Sequence, residues 1–272
     1  MKKLQNILII LLFISNCMFS QEEHWENYIA SYDNNMSGST TVRMDLINFA
    51  PIPNYQYVLV TGITYESERE DGFPKSEETF RLVQNVGDDL IKLLDKNYSF
   101  IHVGSFMFNF ERLEYFYLKS TNGLKGLLEN FYESNYPNNK YYINIKKDLE
   151  WEYYTDFLYP NDDTLNYMSD QKVVNQLIEN GDKLTKERRI DHWIYFSNNN
   201  NMKQFKFEVE KIGFTIEYSG KNDQTDLPFE IRISRIDKVD IDSIFPITNG
   251  LRKLAKEYNG DYDGWETSVE ID

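Results

Sequence analysis

Histidine and cysteine, the side chains best suited to act as bases, metal ligands or nucleophiles near neutral pH, are thinly spread along this sequence. His24, His102 and His192 are its three histidines. They stand in separate segments, without a His-x-x-x-His pair or a cysteine nearby, so zinc ligation has no framework. His102 sits in an apolar run and His192 precedes Trp193; both read as structural imidazoles rather than bases. The pairs Asp261/Asp263 and Glu150/Glu152 are spaced by two, which on a strand places both carboxylates on one face about 7 Å apart. Glycosidases use such separations. With 44 Asp+Glu in 272 residues, however, such pairs arise from composition, and solvated edge charge is the plainer reading. Asp237 to Asp242 loosely matches a calcium loop but lacks its central glycine and late glutamate. There is no nucleophile elbow, phosphate-binding loop or dinucleotide fingerprint. No catalytic residue, cofactor site or metal site is therefore expected.

What remains is recognition chemistry. In the run Asp191 to Phe196, strand alternation sends Ile194 and Phe196 inward with Phe229, Ile231 and Ile233. Trp193 and Tyr195 must then face the other way, with Arg232 and Glu217. Aromatics beside charge on a rigid sheet mark a contact surface. Tyr262 and Trp265 near the end of the sequence join the candidates; their odd spacing puts them on different faces. Trp265 is expected first as a structural residue, and Gly264 as a bulge or a close backbone approach. The competing reading of the surface is an interdomain seam, covered by the first domain or by a connector helix.

The elements that must carry these side chains follow from periodicity. Strand 191–196 leads to a helical stripe of Met202, Phe205, Val209 and Ile212, stopped by Gly213. Phe214, Ile216 and Tyr218 alternate as a strand, and so do Phe229, Ile231 and Ile233 after a polar turn. Asp242 is expected to cap a second helix with Pro246 in its first turn, and Asn259-Gly260 ends it before a last strand. The order is βαββαβ with an antiparallel sheet, a ferredoxin-like sandwich in an α+β chain. These residues, with the closing Tyr262-Asp263-Gly264-Trp265 and Thr267, resemble the regulator of ribonuclease E activity B (RraB) family. Arg189 to Phe196 resembles the join at which that domain follows a domain of unknown function 695. The resemblance implies non-catalytic protein binding, since the family's characterised member is a cytoplasmic protein that binds and restrains an endoribonuclease.

Four segments are expected: a signal peptide at 1–20, an α+β domain at 21–160 resembling the 695 family, a connector helix and charged linker at 161–189, and the RraB-like domain at 190–272. Lys2, Lys3 and the short apolar run Ile7 to Phe13 indicate secretion, to the periplasm or beyond. A lipid anchor at Cys17, the sole cysteine, is the lesser alternative because Asn16 spoils its lipobox. In the first domain, strands are expected at Trp25–Tyr32, through Val42, Met44 and Leu46, at Tyr55–Tyr65, in a hairpin turning near Asn109, and from Tyr141 to Tyr154. A helix opens at Ser76 and another spans Gly123–Tyr132.

Net charge is −15. Residues 182–272 carry 14 Lys+Arg against 18 Asp+Glu, and residues 21–181 carry 13 against 26. That acidity repels phosphate backbones, so nucleic acid is a poor partner, and a basic protein suits it better. No later stretch is long and apolar enough to span a membrane. The reading is an exported, non-catalytic binding module. Its rivals are a cytoplasmic regulator of a ribonuclease and an envelope hydrolase using a carboxylate pair.

Overall fold

The computed structural model describes residues 23–32, 36–221 and 226–271. The signal segment, Cys17 and the turn at Asn34-Asn35 lie outside the described residues. The chain divides between Tyr159 and Pro160 into two compact units. Both are mixtures of helices and antiparallel strands.

The first unit holds β1 (Trp25–Ser31), β2 (Ser37–Arg43), β3 (Tyr57–Thr64), α1 (Glu77–Asn97), β4 (Phe100–Phe108), β5 (Glu111–Leu118), α2 (Leu124–Asn135) and β6 (Tyr141–Lys147). Its six strands pair in the order β1-β2-β4-β5-β3-β6. Ser76 caps α1 by accepting from the Thr79 N–H. The apolar stripe Val83, Val86, Leu90 and Leu94 packs with α2 on Leu59, Ile63, Phe116 and Leu118. Asn109 and Phe110 turn the β4–β5 hairpin at positive φ.

Two strand expectations fail in the first unit. Arg43 ends β2, and Met44–Asn48 coil as a 3-10 turn, so Met44 and Leu46 do not alternate on a strand. β6 stops at Lys147 instead of running to Tyr154. The reason is Asp148, whose buried carboxylate accepts from the Glu152 and Tyr153 N–H groups and from the Tyr117 hydroxyl. That side chain offers the backbone a turn in place of a ladder. Trp151 then stacks on Tyr117 at 4.0 Å between ring centres, and Tyr153–Leu158 wind as a short π-helix.

The second unit holds α3 (Asp162–Glu179), β7 (Arg188–Phe196), α4 (Asn199–Lys211), β8 (Thr215–Lys221), β9 (Phe229–Asp237), α5 (Ile241–Glu257) and β10 (Gly260–Thr267). Strands pair antiparallel in the order β10-β7-β9-β8. α4 and α5 bury Met202, Phe205, Val209, Leu251 and Ala255 against Ile194, Phe196, Ile231 and Ile233. Asp240, two residues earlier than expected, is the N-cap of α5.

α3 packs along α5. Its Val174 and Leu177 enclose a second cluster with Ile190, Val239, Ile244 and Trp265. The stretch read as a charged linker is partly internal here, because Asp182 and Arg188 form a buried ion pair. Arg188 Nη1 also donates to the Ser268 carbonyl at 2.9 Å.

Candidate functional site

β7 sets the geometry of the site. Ile190, His192, Ile194 and Phe196 are buried, whereas Asp191, Trp193 and Tyr195 between them are half-buried. Register places Trp193 opposite Arg232 and Tyr195 opposite Glu230 on β9, with Asp261 opposite Tyr195 on β10. These side chains share the face of the sheet turned away from α4 and α5.

On that face the Arg232 guanidinium lies over the Trp193 ring, 5.8 Å from its centre. Its Nε is buried without a hydrogen-bond partner. Glu217 arrives through a bulge, as the β8 register shifts between Ile216 and Tyr218. Its carboxylate accepts from the Ser234 hydroxyl at 2.5 Å and pairs with Arg189 at 3.1 Å. Arg189 also holds Asp191 at 2.7 Å. The Tyr195 phenol titrates above its ordinary range, mainly through burial and then through Glu230 and Asp263. Trp193, Tyr195, Arg232 and Glu217 are thus brought together, rimmed by carboxylates.

Tyr262 and Trp265 belong elsewhere, which corrects their place among the contact candidates. Both are buried. The β10 register shift between Tyr262 and Gly264 turns Tyr262 and Trp265 to the same, helix-covered side despite their odd spacing. A Cβ at Gly264 would meet nothing within 4 Å, so the bulge, rather than a close backbone approach, accounts for that position. The Trp265 indole donates to Asp170 Oδ1 at 3.0 Å. Asp170 also receives both Arg252 amino groups, at 2.8 and 2.9 Å, and the Thr248 hydroxyl. Arg252 lies over the Tyr262 ring at 4.9 Å, and the Tyr262 hydroxyl meets His192 Nδ1 at 2.7 Å. Burial first, then the charge of Arg235, pushes the His192 imidazole down to about 3.

Sequence reasoning missed Asp170, Thr248 and Arg252. A signal was present: each is polar at an inward position of its helix, Asp170 with Val174 and Leu177, and Thr248 and Arg252 beside Ile244, Leu251 and Ala255.

In the first unit, Glu114 is buried on the sheet face beneath α1, where a Cβ on Gly87 would come within 2.9 Å of its carboxylate. His102 Nε2 and Arg112 Nε each reach it at 2.9 Å. Burial pushes this carboxyl up, but the His102 hydrogen bond and the Arg112 charge hold it below its ordinary range. The trio is a satisfied core cluster.

Neither carboxylate pair forms a cleft. Glu150 and Glu152 lie in the turn after β6 instead of on a strand, and Asp261 and Asp263 are exposed on either side of Tyr262. Asp237 pairs with Arg235, and Asp240 is spent on the α5 cap. The described residues contain no group of three or more His, Cys, Asp and Glu able to hold a metal.

The family of unknown function DUF695 matches residues 23–159, half of the chain. The chain belongs to that family. Its second part, residues 168–267, matches Regulator of ribonuclease activity B, or RraB, and this RraB-like match takes in most of α3 as well as the four-stranded sheet. No curated protein matches the chain. Among solved structures, an unknown protein from Galdieria sulphuraria is 12% identical, covering 79% of this chain and 99% of its own, with a TM-score of 0.20. The RraB-like match points to a regulatory role.

Proposed function

We propose that this DUF695 chain is a non-catalytic regulator that holds a protein partner on the helix-free face of its second sheet. In this reading the second unit is a ferredoxin-like sandwich whose two crossover helices leave one face for recognition. One observation carries it: Trp193 and Tyr195 stand half-buried in a patch rimmed by Glu230 and Asp261. Flat aromatics supply contact area at small entropic cost, and the carboxylates select a basic segment and speed its approach. Nucleic acid is disfavoured by the same charge. No helix among the described residues is long and apolar enough to cross a membrane.

The chain is proposed to act outside the cytoplasm, on the strength of Lys2, Lys3 and the apolar run after them. A cytoplasmic ribonuclease regulator is the second reading, favoured by the RraB-like match. Mass spectrometry of the cell-derived protein separates them: a mature start near Gln21 supports export, and an intact Met1 in the cytosol supports the second.

The face itself is tested by cross-linking in the native cell, followed by affinity measurement with the captured partner. Trp193→Ala with Tyr195→Ala should weaken binding about thirtyfold or more with unchanged melting, and binding should weaken as salt rises. Undiminished affinity in a folded double variant would remove this face from the function.

A further inference from the structure

The core of the second unit contains an imidazole with nowhere to put a second proton. His192 is fully buried on β7, opposite Ile233 on β9 and Trp265 on β10. Its Nδ1 meets the Tyr262 hydroxyl at 2.7 Å, and its Nε2 has no partner. Phe214 closes one side edge-on at 5.6 Å between ring centres. The two rings packed against His192 each carry a guanidinium: Arg235 lies 4.2 Å from the centre of Phe214 and Arg252 lies 4.9 Å from that of Tyr262.

Other charges are committed. Arg235 is paired with Asp237, and Arg252 with Asp170 from α3. Asp191, the neighbour on β7, points to the other face and is held by Arg189. A proton on His192 would therefore place a third cation in an apolar pocket between two others, without an acceptor for its second N–H.

We infer that His192, clasped by Tyr262 between Arg235 and Arg252, is an acid-sensitive latch that opens the core of the second unit. The pair ties β7 to β10, and the pocket around it accepts the neutral imidazole but strands the Nε2–H of the charged one. The inference concerns the stability of the unit and stands whether or not the helix-free face binds a partner.

The sign follows from the direction of the shift. Burial lowers the folded imidazole to about 3, whereas the unfolded chain has the ordinary value near 6.5. Below that ordinary value the unfolded state binds the additional proton, so acid favours unfolding. Above it the latch costs nothing.

The test is an NMR titration of the three histidine Cε1–H signals, with His192 assigned through His192→Gln. In the folded unit the His192 signal should not move between pH 8 and about 5, and it should then pass directly to its unfolded position. Titration near 6.5 within the intact unit overturns the latch. Urea unfolding supplies a second readout. Relative to His192→Phe/Tyr262→Phe, the wild type should lose about tenfold in folding constant per pH unit below 6. A difference that does not vary with pH overturns it. If the double variant does not fold, the wild-type titration decides.

Discussion

Asp170 shows how much one side chain can hold. Its carboxylate receives an indole, a hydroxyl and a guanidinium, all at a buried position. Asp170→Ala leaves Arg252 without its counter-charge, and breaking a buried pair in this way costs about 3–5 kcal/mol. Trp265→Ala removes a buried aromatic together with its hydrogen bond and should cost roughly 3–5 kcal/mol. Urea unfolding of each variant measures both, and because the two residues touch, the double variant should lose less than the two separate losses combined. Full additivity would mean that the indole and carboxylate do not act as one unit. Trp193, Tyr195 and Arg232 were legible from sequence because alternation along β7 and β9 is a local property, whereas Glu217 reaches their face through the β8 bulge. Tyr262 was not, because its side is decided by a bulge that spacing does not encode.

Among the elements, α3 completes the second apolar cluster of its unit. Its apolar stripe is readable, but the sequence does not say what the stripe touches. The structure packs it on α5 and over Trp265. Val174→Asn with Leu177→Asn should detach the helix and expose that indole. In a chain whose other tryptophans are replaced by phenylalanine, Trp265 emission should then move to the red with the sheet intact. Unshifted emission would place the burial of Trp265 in the sheet alone. Element order was the legible part, and strand ends were not. β6 stops where the Asp148 carboxylate recruits backbone N–H groups four and five residues on, an event invisible to hydrophobic period.

At the scale of the whole molecule, the two units predict where the chain can be divided. A fragment of residues 160–272 contains both apolar clusters of the second unit and the Asp182–Arg188 pair, so it should unfold cooperatively on its own. A fragment beginning at 190 lacks α3, Asp170 and Arg188, and it should be far less stable. Circular dichroism of the two fragments on heating checks this. Equal melting would show that α3 adds nothing to the unit.

The reach of these bonds also bears on how the chain is made. Asp170 waits for Trp265, 95 residues downstream, and Arg188 for the Ser268 carbonyl, 80 residues downstream. During synthesis, α3 and β7 leave the ribosome long before the strand that completes them. Until residue 268 emerges these bonds cannot form, so the second unit should complete its fold only late in synthesis.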